Sequence, residues 1–149
     1  MIKKITSGRE TSPNVYHAHE WGQQLEKDLL DLLIKEAKSS HARKARYCVH
    51  PNPNETLQIT YLAFVNPYLD RIHRHPGREE IVIPLQGIAI HTTFDLDRNQ
   101  LGSQLLDGSN PVALTTKIDA WHSIEVLSDF FVMLEIGVGP FTSNSTVYL

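Results

Sequence analysis

The chain has 149 residues, enough for one domain that buries a core of its own without disulfide staples. Its 14 lysines and arginines stand against 17 acidic residues, a net charge of −3 with both signs interspersed. That balance supplies no basic field for nucleic acid and no polybasic membrane anchor.

The first residues, Met1-Ile-Lys-Lys-Ile-Thr-Ser, run straight into polar sequence without the apolar stretch of a signal peptide or a membrane span, and Cys48 is the only cysteine. The expectation is a cytoplasmic protein. Eight histidines stand out, because imidazole is both the commonest metal ligand and a proton carrier near neutral pH. Their spacing decides what they do.

In chain order, His17-Ala18-His19-Glu20 is read as surface, a polar lead-in to a helix. From Glu20 to Lys38, Trp21, Leu25, Leu29, Leu32 and Leu33 recur at intervals of three and four, with Glu26, Lys27, Asp31 and Lys35 on the other face, which predicts one amphipathic helix. Beyond Lys44 the pattern changes to short runs rich in Val, Ile, Thr, Phe and Tyr. Strands are predicted at Ala45 to His50, Leu57 to Val65, Tyr68 to Arg74, Glu80 to Gln86, Ile88 to Phe94, Val112 to Ile118, Trp121 to Leu127 and Phe130 to Ile136.

Turn residues separate the strands at Pro51-Asn52-Pro53-Asn54, Pro76-Gly77, 95–99 and 107–111. Asp95-Leu96-Asp97-Arg98-Asn99 opens like a calcium loop but lacks the glycine and the closing glutamate, so it reads as a hairpin turn. Pro84 inside a strand run predicts an edge position or a bulge. So many short strands at this spacing predict a sandwich or barrel.

His73-Arg74-His75 puts two imidazoles on the same side of a strand. The turn at Pro76-Gly77-Arg78 returns Glu80 beside them, and His122, after a polar turn and before a strand, is the best candidate for a third imidazole. Three nitrogens and a carboxylate suit one divalent first-row metal ion, iron, manganese, nickel, cobalt or zinc, and leave about two octahedral positions open.

Here the sequence resembles the cupin superfamily, whose first motif, His-x-His, three or four residues, Glu, six residues, Gly, is matched by His73, His75, Glu80 and Gly87. Of the second motif, Pro-x-Gly-x-x-His followed by Asn, only His122 is present; Lys117, Asp119 and Val126 stand at the other positions. Within the superfamily the chain is similar to the WbuC family of cupin-fold metalloproteins through Arg43-Lys44-Ala45-Arg46 with His50, Tyr68 ahead of His73-Arg74-His75-Pro76, Trp121-His122, and 135–141. The resemblance implies a mainly β fold, a single cupin or jelly-roll barrel with one N-terminal helix. It runs from the helix near residue 20 to about Phe141, and the chain is read as one domain over 1–149, with an N-terminal segment to about residue 44, a barrel over 45–141 and a polar tail at 142–149. It also implies a sugar or nucleotide-sugar context, since that family is associated with surface-polysaccharide (O-antigen) gene clusters.

Arg46, Cys48 and His50 alternate onto one face; either they form a polar wall for an anionic substrate, or Arg46 and His50 pair with carboxylates at the barrel mouth and Cys48 is a small core residue. Gln58, Tyr68 and Arg71 are further candidates for the cavity, and His91 receives no assignment. The expected partner is a small molecule, handled by isomerase or epimerase chemistry with His50 or a metal-bound water moving protons, by iron-dependent oxygen chemistry, or by binding alone. A homodimer is expected, because pairing two such chains covers exposed strand edges.

Overall fold

The computed structural model describes residues 4–149. A hairpin of β1 (Gly8–Ser12) and β2 (Val15–Ala18) precedes helix α1 (Leu29–Ser39). Strands β3 (Lys44–Cys48), β4 (Leu57–Val65), β5 (His73–Arg74), β6 (Glu80–Phe94), β7 (Gln100–Asp107), β8 (Leu114–Thr116), β9 (Trp121–Val138) and β10 (Val147–Tyr148) follow. The fold is mainly β with one helix, as expected. The strands join in one mixed sheet in the order β1-β2-β3-β4-β9-β5-β10, and β6 links β9 to β7 and β8. Strand β2 runs parallel to β3; the other pairs are antiparallel.

Two pairs of predicted strands are single long ones. Glu80 to Gln86 and Ile88 to Phe94 fuse into β6, which shifts register between Pro84 and Gln86 and again between Gly87 and Ala89. The first shift is the bulge that Pro84, with no N–H to donate, imposes on a strand. The second rests on Gly87, whose φ of 74° is open to glycine, and whose absent Cβ would lie 2.0 Å from the carbonyl oxygen of Phe130. Trp121 to Leu127 and Phe130 to Ile136 likewise fuse into β9, stitched to β6 where the Ser128 hydroxyl accepts from the Ile88 N–H at 2.7 Å and donates to the Phe130 carbonyl at 2.6 Å.

The helix is shorter than predicted, beginning at Leu29 rather than near Glu20. Side chains of the missing turns bind the residues just before β1 instead. Gly22 has a φ of 76°, Gln23 donates to the Ser7 carbonyl, and Glu26 accepts from the N–H of Ser7 at 2.6 Å and from that of Thr6. Burial alone would raise the Glu26 carboxyl, yet these donors hold it down at about 2. Only His73 and Arg74 of the predicted Tyr68 to Arg74 strand are paired as strand, with one isolated bridge from Leu69 to Glu125. Strands β1, β2, β7 and β10 were not expected from the sequence; the predicted polar tail contains β10, which pairs with β5.

Alternation along the strands divides the sheet into two faces. On the outer one, Tyr16, Ala18, Ala45, Tyr47, Ala63, Val65 and Val132 pack against Leu29, Leu32, Leu33 and Ala37 of α1. Each fully buried leucine in that seam contributes on the order of 2 kcal/mol. On the inner face Leu62, Phe64, Val82, Ile124, Phe131 and Met133 form a second core. Above that core the inner face turns polar and encloses a cavity of about 490 Å³.

Candidate metal centre

Cross-strand register explains what the cavity wall carries. His17 on β2 lies opposite Cys48 on β3, Cys48 opposite Thr60 on β4, and Thr60 opposite Glu135 on β9. One row along, Val15, Arg46, Leu62 and Met133 are aligned in the same way. A third row sets Gln58 against Gly137, Gly137 against Glu80 and Glu80 against Thr116. All of these except Gly137 line the cavity.

The structure brings His73, His75, Glu80 and His122 together at one end. His73 pairs with His122 across β5 and β9, and their ring centroids are 4.4 Å apart. One nitrogen from each of His73, His75 and His122 lies within 4.8 Å of the other two. The turn at Gly77, with a φ of 65° and a bond from the Arg78 N–H to the His75 carbonyl at 3.2 Å, brings Glu80 back to them. Its Oε1 stands 3.2 Å from His75 Nε2 and its Oε2 3.9 Å from His122 Nε2.

Backbone carbonyls set the tautomers. His73 Nδ1 donates to Arg71 at 2.7 Å, His75 Nδ1 to Ser145 at 3.0 Å and His122 Nδ1 to Ala120 at 2.8 Å. A carbonyl only accepts, so in each neutral ring the proton sits on Nδ1 and the lone pair on Nε2. Burial, reinforced by the neighbouring histidines, holds His75 at about 4 and His122 at about 3, so both rings are neutral near pH 7. Burial and the nearby Glu135 raise Glu80 to about 9. Three inward nitrogen lone pairs beside a buried carboxyl form a donor set that fits a divalent first-row cation.

His91, unassigned from the sequence, belongs to the same neighbourhood. Its ring stacks on His122 with centroids 5.2 Å apart, and its buried Nε2 has no hydrogen-bond partner among the described residues. Its register partner is Ile124, two residues beyond His122, so strand parity from His122 was the signal that would have found it. His17, read as surface, is a correction: it is 7% exposed and lines the cavity, because β2 joins the sheet beside β3.

Arg46, Cys48 and His50 line the cavity, and His50 is buried with Nδ1 3.0 Å from both the N–H nitrogen and the carbonyl oxygen of Ile59. Gln58 also reaches the wall, but its amide donates to the Pro53 carbonyl at 3.1 Å and the Glu55 carbonyl at 2.8 Å, tying down the loop before β4. Tyr68 is not a lining residue: its ring packs on Phe64 and its hydroxyl donates to Asp70 at 3.1 Å. Arg71 likewise does not reach the lining; its guanidinium lies at 4.2 Å over the ring of Tyr148, which does. No helix among the described residues is long and apolar enough to cross a membrane.

A family model described as a domain of unknown function (DUF6016) matches residues 25–106. No curated protein matches the sequence. Among solved structures, the capsular polysaccharide assembling protein CapF from Staphylococcus aureus superposes with a TM-score of 0.61 at 15% identity, covering 70% of this chain and 29% of CapF. The oxalate decarboxylase of Lactobacillus farciminis gives 0.58 at 20% identity, over 74% of this chain and 32% of the enzyme. The dTDP-4-dehydrorhamnose 3,5-epimerase of Elizabethkingia anophelis gives 0.54 at 17% identity, over 64% of this chain and 56% of the epimerase. These neighbours are cupin-fold proteins, and the likeness supports a jelly-roll, cupin-like fold here. The chain spans only about a third of the CapF and oxalate decarboxylase chains it resembles.

Proposed function

The chain belongs to the family described as a domain of unknown function (DUF6016), and from its cavity we propose a divalent-metal-binding cupin that acts on, or binds, a small polar substrate such as a sugar or nucleotide-sugar. The observation that carries this reading is the convergence of three carbonyl-fixed imidazoles and the Glu80 carboxyl on one point of a buried cavity. His73, His75, Glu80 and His122 would hold one ion, iron, manganese, nickel or zinc. When bound, such an ion supplies Lewis acidity toward a substrate carbonyl or hydroxyl.

The chain's own residues supply the rest. Arg46, two rows from Glu80 on the same wall, holds an anionic group of the substrate. His50 moves a proton through its cavity-facing nitrogen, in isomerase or epimerase chemistry. The apolar floor of Leu62, Met133 and Ile124 keeps water away from the reacting carbon. A place in surface-polysaccharide (O-antigen) metabolism, beside the WbuC family, follows the sequence resemblance. We read the chain as a homodimer: β7 pairs only with β6, and Leu101 and Leu105 stand exposed along it.

The test is elemental analysis of purified protein beside a His73→Ala/Glu80→Ala double variant, with about one more divalent ion per chain expected in the first than in the second. Incubation with nucleotide-linked keto-sugars in heavy water then separates catalysis from binding. Deuterium entering the carbon beside the keto group, and lost in His50→Ala with the metal retained, supports the enzymatic reading; protein that binds no metal even after reconstitution ends it.

A further inference from the structure

A second set of donor atoms faces the cavity from the wall formed by β2 and β3. We propose that His17, Cys48 and His50 form a separate binding site for a thiophilic cation, of which Zn²⁺ is the type. One donor atom from each residue lies within 4.8 Å of the other two, the same span as at the centre described above. All three residues are buried, at 7%, 5% and 2% exposure, and all three line the cavity.

Their placement is fixed by backbone pairing. His17 and Cys48 are register partners across the parallel β2–β3 pair, and His50 follows Cys48 at i+2. His17 Nδ1 donates to the His50 carbonyl at 3.1 Å, which leaves the lone pair on Nε2, the same device that orients the other three histidines. The His50 ring meets it edge-on with centroids 5.3 Å apart. His50 Nδ1 stands 3.0 Å from both the carbonyl oxygen and the N–H nitrogen of Ile59. The ring therefore keeps its position in either tautomer, and donation to the carbonyl frees Nε2 for an ion. Cys48 forms no disulfide, and among the described residues its sulfur accepts one hydrogen bond, from the Thr60 hydroxyl at 3.9 Å.

Two imidazoles and a thiolate with a fourth position free are a tetrahedral donor set for Zn²⁺ or Cu⁺, whereas the nitrogen and oxygen donors at the other end of the cavity suit harder ions. Binding here displaces the thiol proton, so the ion and the thiolate enter together. This site uses none of His73, His75, Glu80 and His122, but an ion on His50 occupies the nitrogen given a proton-transfer role above, so that role belongs to the chain with this site empty.

Cobalt(II) is the probe, because a cobalt–thiolate bond carries a near-ultraviolet charge-transfer band and cobalt bound only by nitrogen and oxygen does not. Chelator-stripped protein titrated with Co²⁺ should take up two ions per chain and develop that band, which Zn²⁺ then bleaches. Cys48→Ser should lose the band and one cobalt equivalent, His17→Gln should weaken both, and His75→Ala should keep the band. One cobalt with the band, still present in His75→Ala, would uphold this site and remove the other. Wild-type protein that takes up cobalt without the band, or a Cys48→Ser chain that still takes up two ions, overturns the proposal.

Discussion

His75 and Glu80 stand on either side of a tight turn, and their side chains meet again inside the cavity, with His75 Nε2 3.2 Å from Glu80 Oε1. Burial and Glu135 raise the Glu80 carboxyl to about 9, while burial holds His75 and His122 at about 4 and 3. Near pH 7 the metal-free centre therefore holds a protonated carboxyl beside two neutral imidazoles whose Nε2 atoms are bare. A cation entering must expel that proton. Apparent affinity should rise by up to tenfold per pH unit from neutral pH toward about pH 9. Calorimetry in buffers of different ionisation enthalpy measures the release, which Glu80→Gln should abolish along with much of the affinity.

The same groups set the pH profile of stability in metal-free protein. His75 and His91 at about 4, and His122 at about 3, lie below the ordinary 6.5, chiefly through burial. As pH falls below about 6.5 the unfolded chain binds those protons and the folded one does not, so stability drops toward pH 4. Glu80, at about 9 against an ordinary 4.5, acts oppositely: the unfolded chain loses that proton from pH 4.5 upward while the folded chain keeps it. Three histidines outweigh one carboxyl below pH 6.5, and above it the carboxyl acts without them. Thermal unfolding of chelated protein should peak near pH 6.5, and added metal should remove the alkaline decline.

Removing residues 143–149 should weaken metal binding without unfolding the chain. Ser145 supplies the carbonyl that fixes His75, and β10 makes its strand contacts with β5 alone. Loss of such an outer hydrogen bond typically costs on the order of 10–100-fold in metal affinity. Competition with a chromophoric chelator reads the affinity and circular dichroism the fold; unchanged affinity would contradict the assigned role of Ser145.

Gly87→Ala should destabilise the fold by more than about 2 kcal/mol, since alanine is strained at a φ of 74° and its methyl would press on the Phe130 carbonyl. Urea unfolding measures it. Gly77→Ala, with a φ of 65° but nothing within 4 Å, should cost about 1 kcal/mol.

The long alternating runs were legible in the sequence: Leu57 to Val65 is a strand with the predicted ends, and His73, His75, Glu80 and His122 meet as their motif spacing suggests. What escaped were elements that owe their form to partners. Gly8–Ser12 and Val15–Ala18 are too short for periodicity to report, and they become strands because β3 offers an edge, which is also how His17 comes to be buried. The Glu20 to Asp28 stretch has helical spacing, but its Gln23 and Glu26 find better partners in the Ser7 backbone. Tyr68 and Arg71 lie on 66–72, a stretch that is loop but for one bridge at Leu69, so strand parity could not tell which way their side chains face.

The two-residue strand β5 is flanked by His122 on one side and by Tyr148 on the other. In synthesis, then, the ligands arrive out of step with their supports: His73 and His75 leave the ribosome early, their ring partner comes some 50 residues later, and the carbonyl that orients His75 later still. An unfinished chain would hold His73, His75 and Glu80 without His122, so a cation bound as proposed would find its full donor set only after β9 has been made.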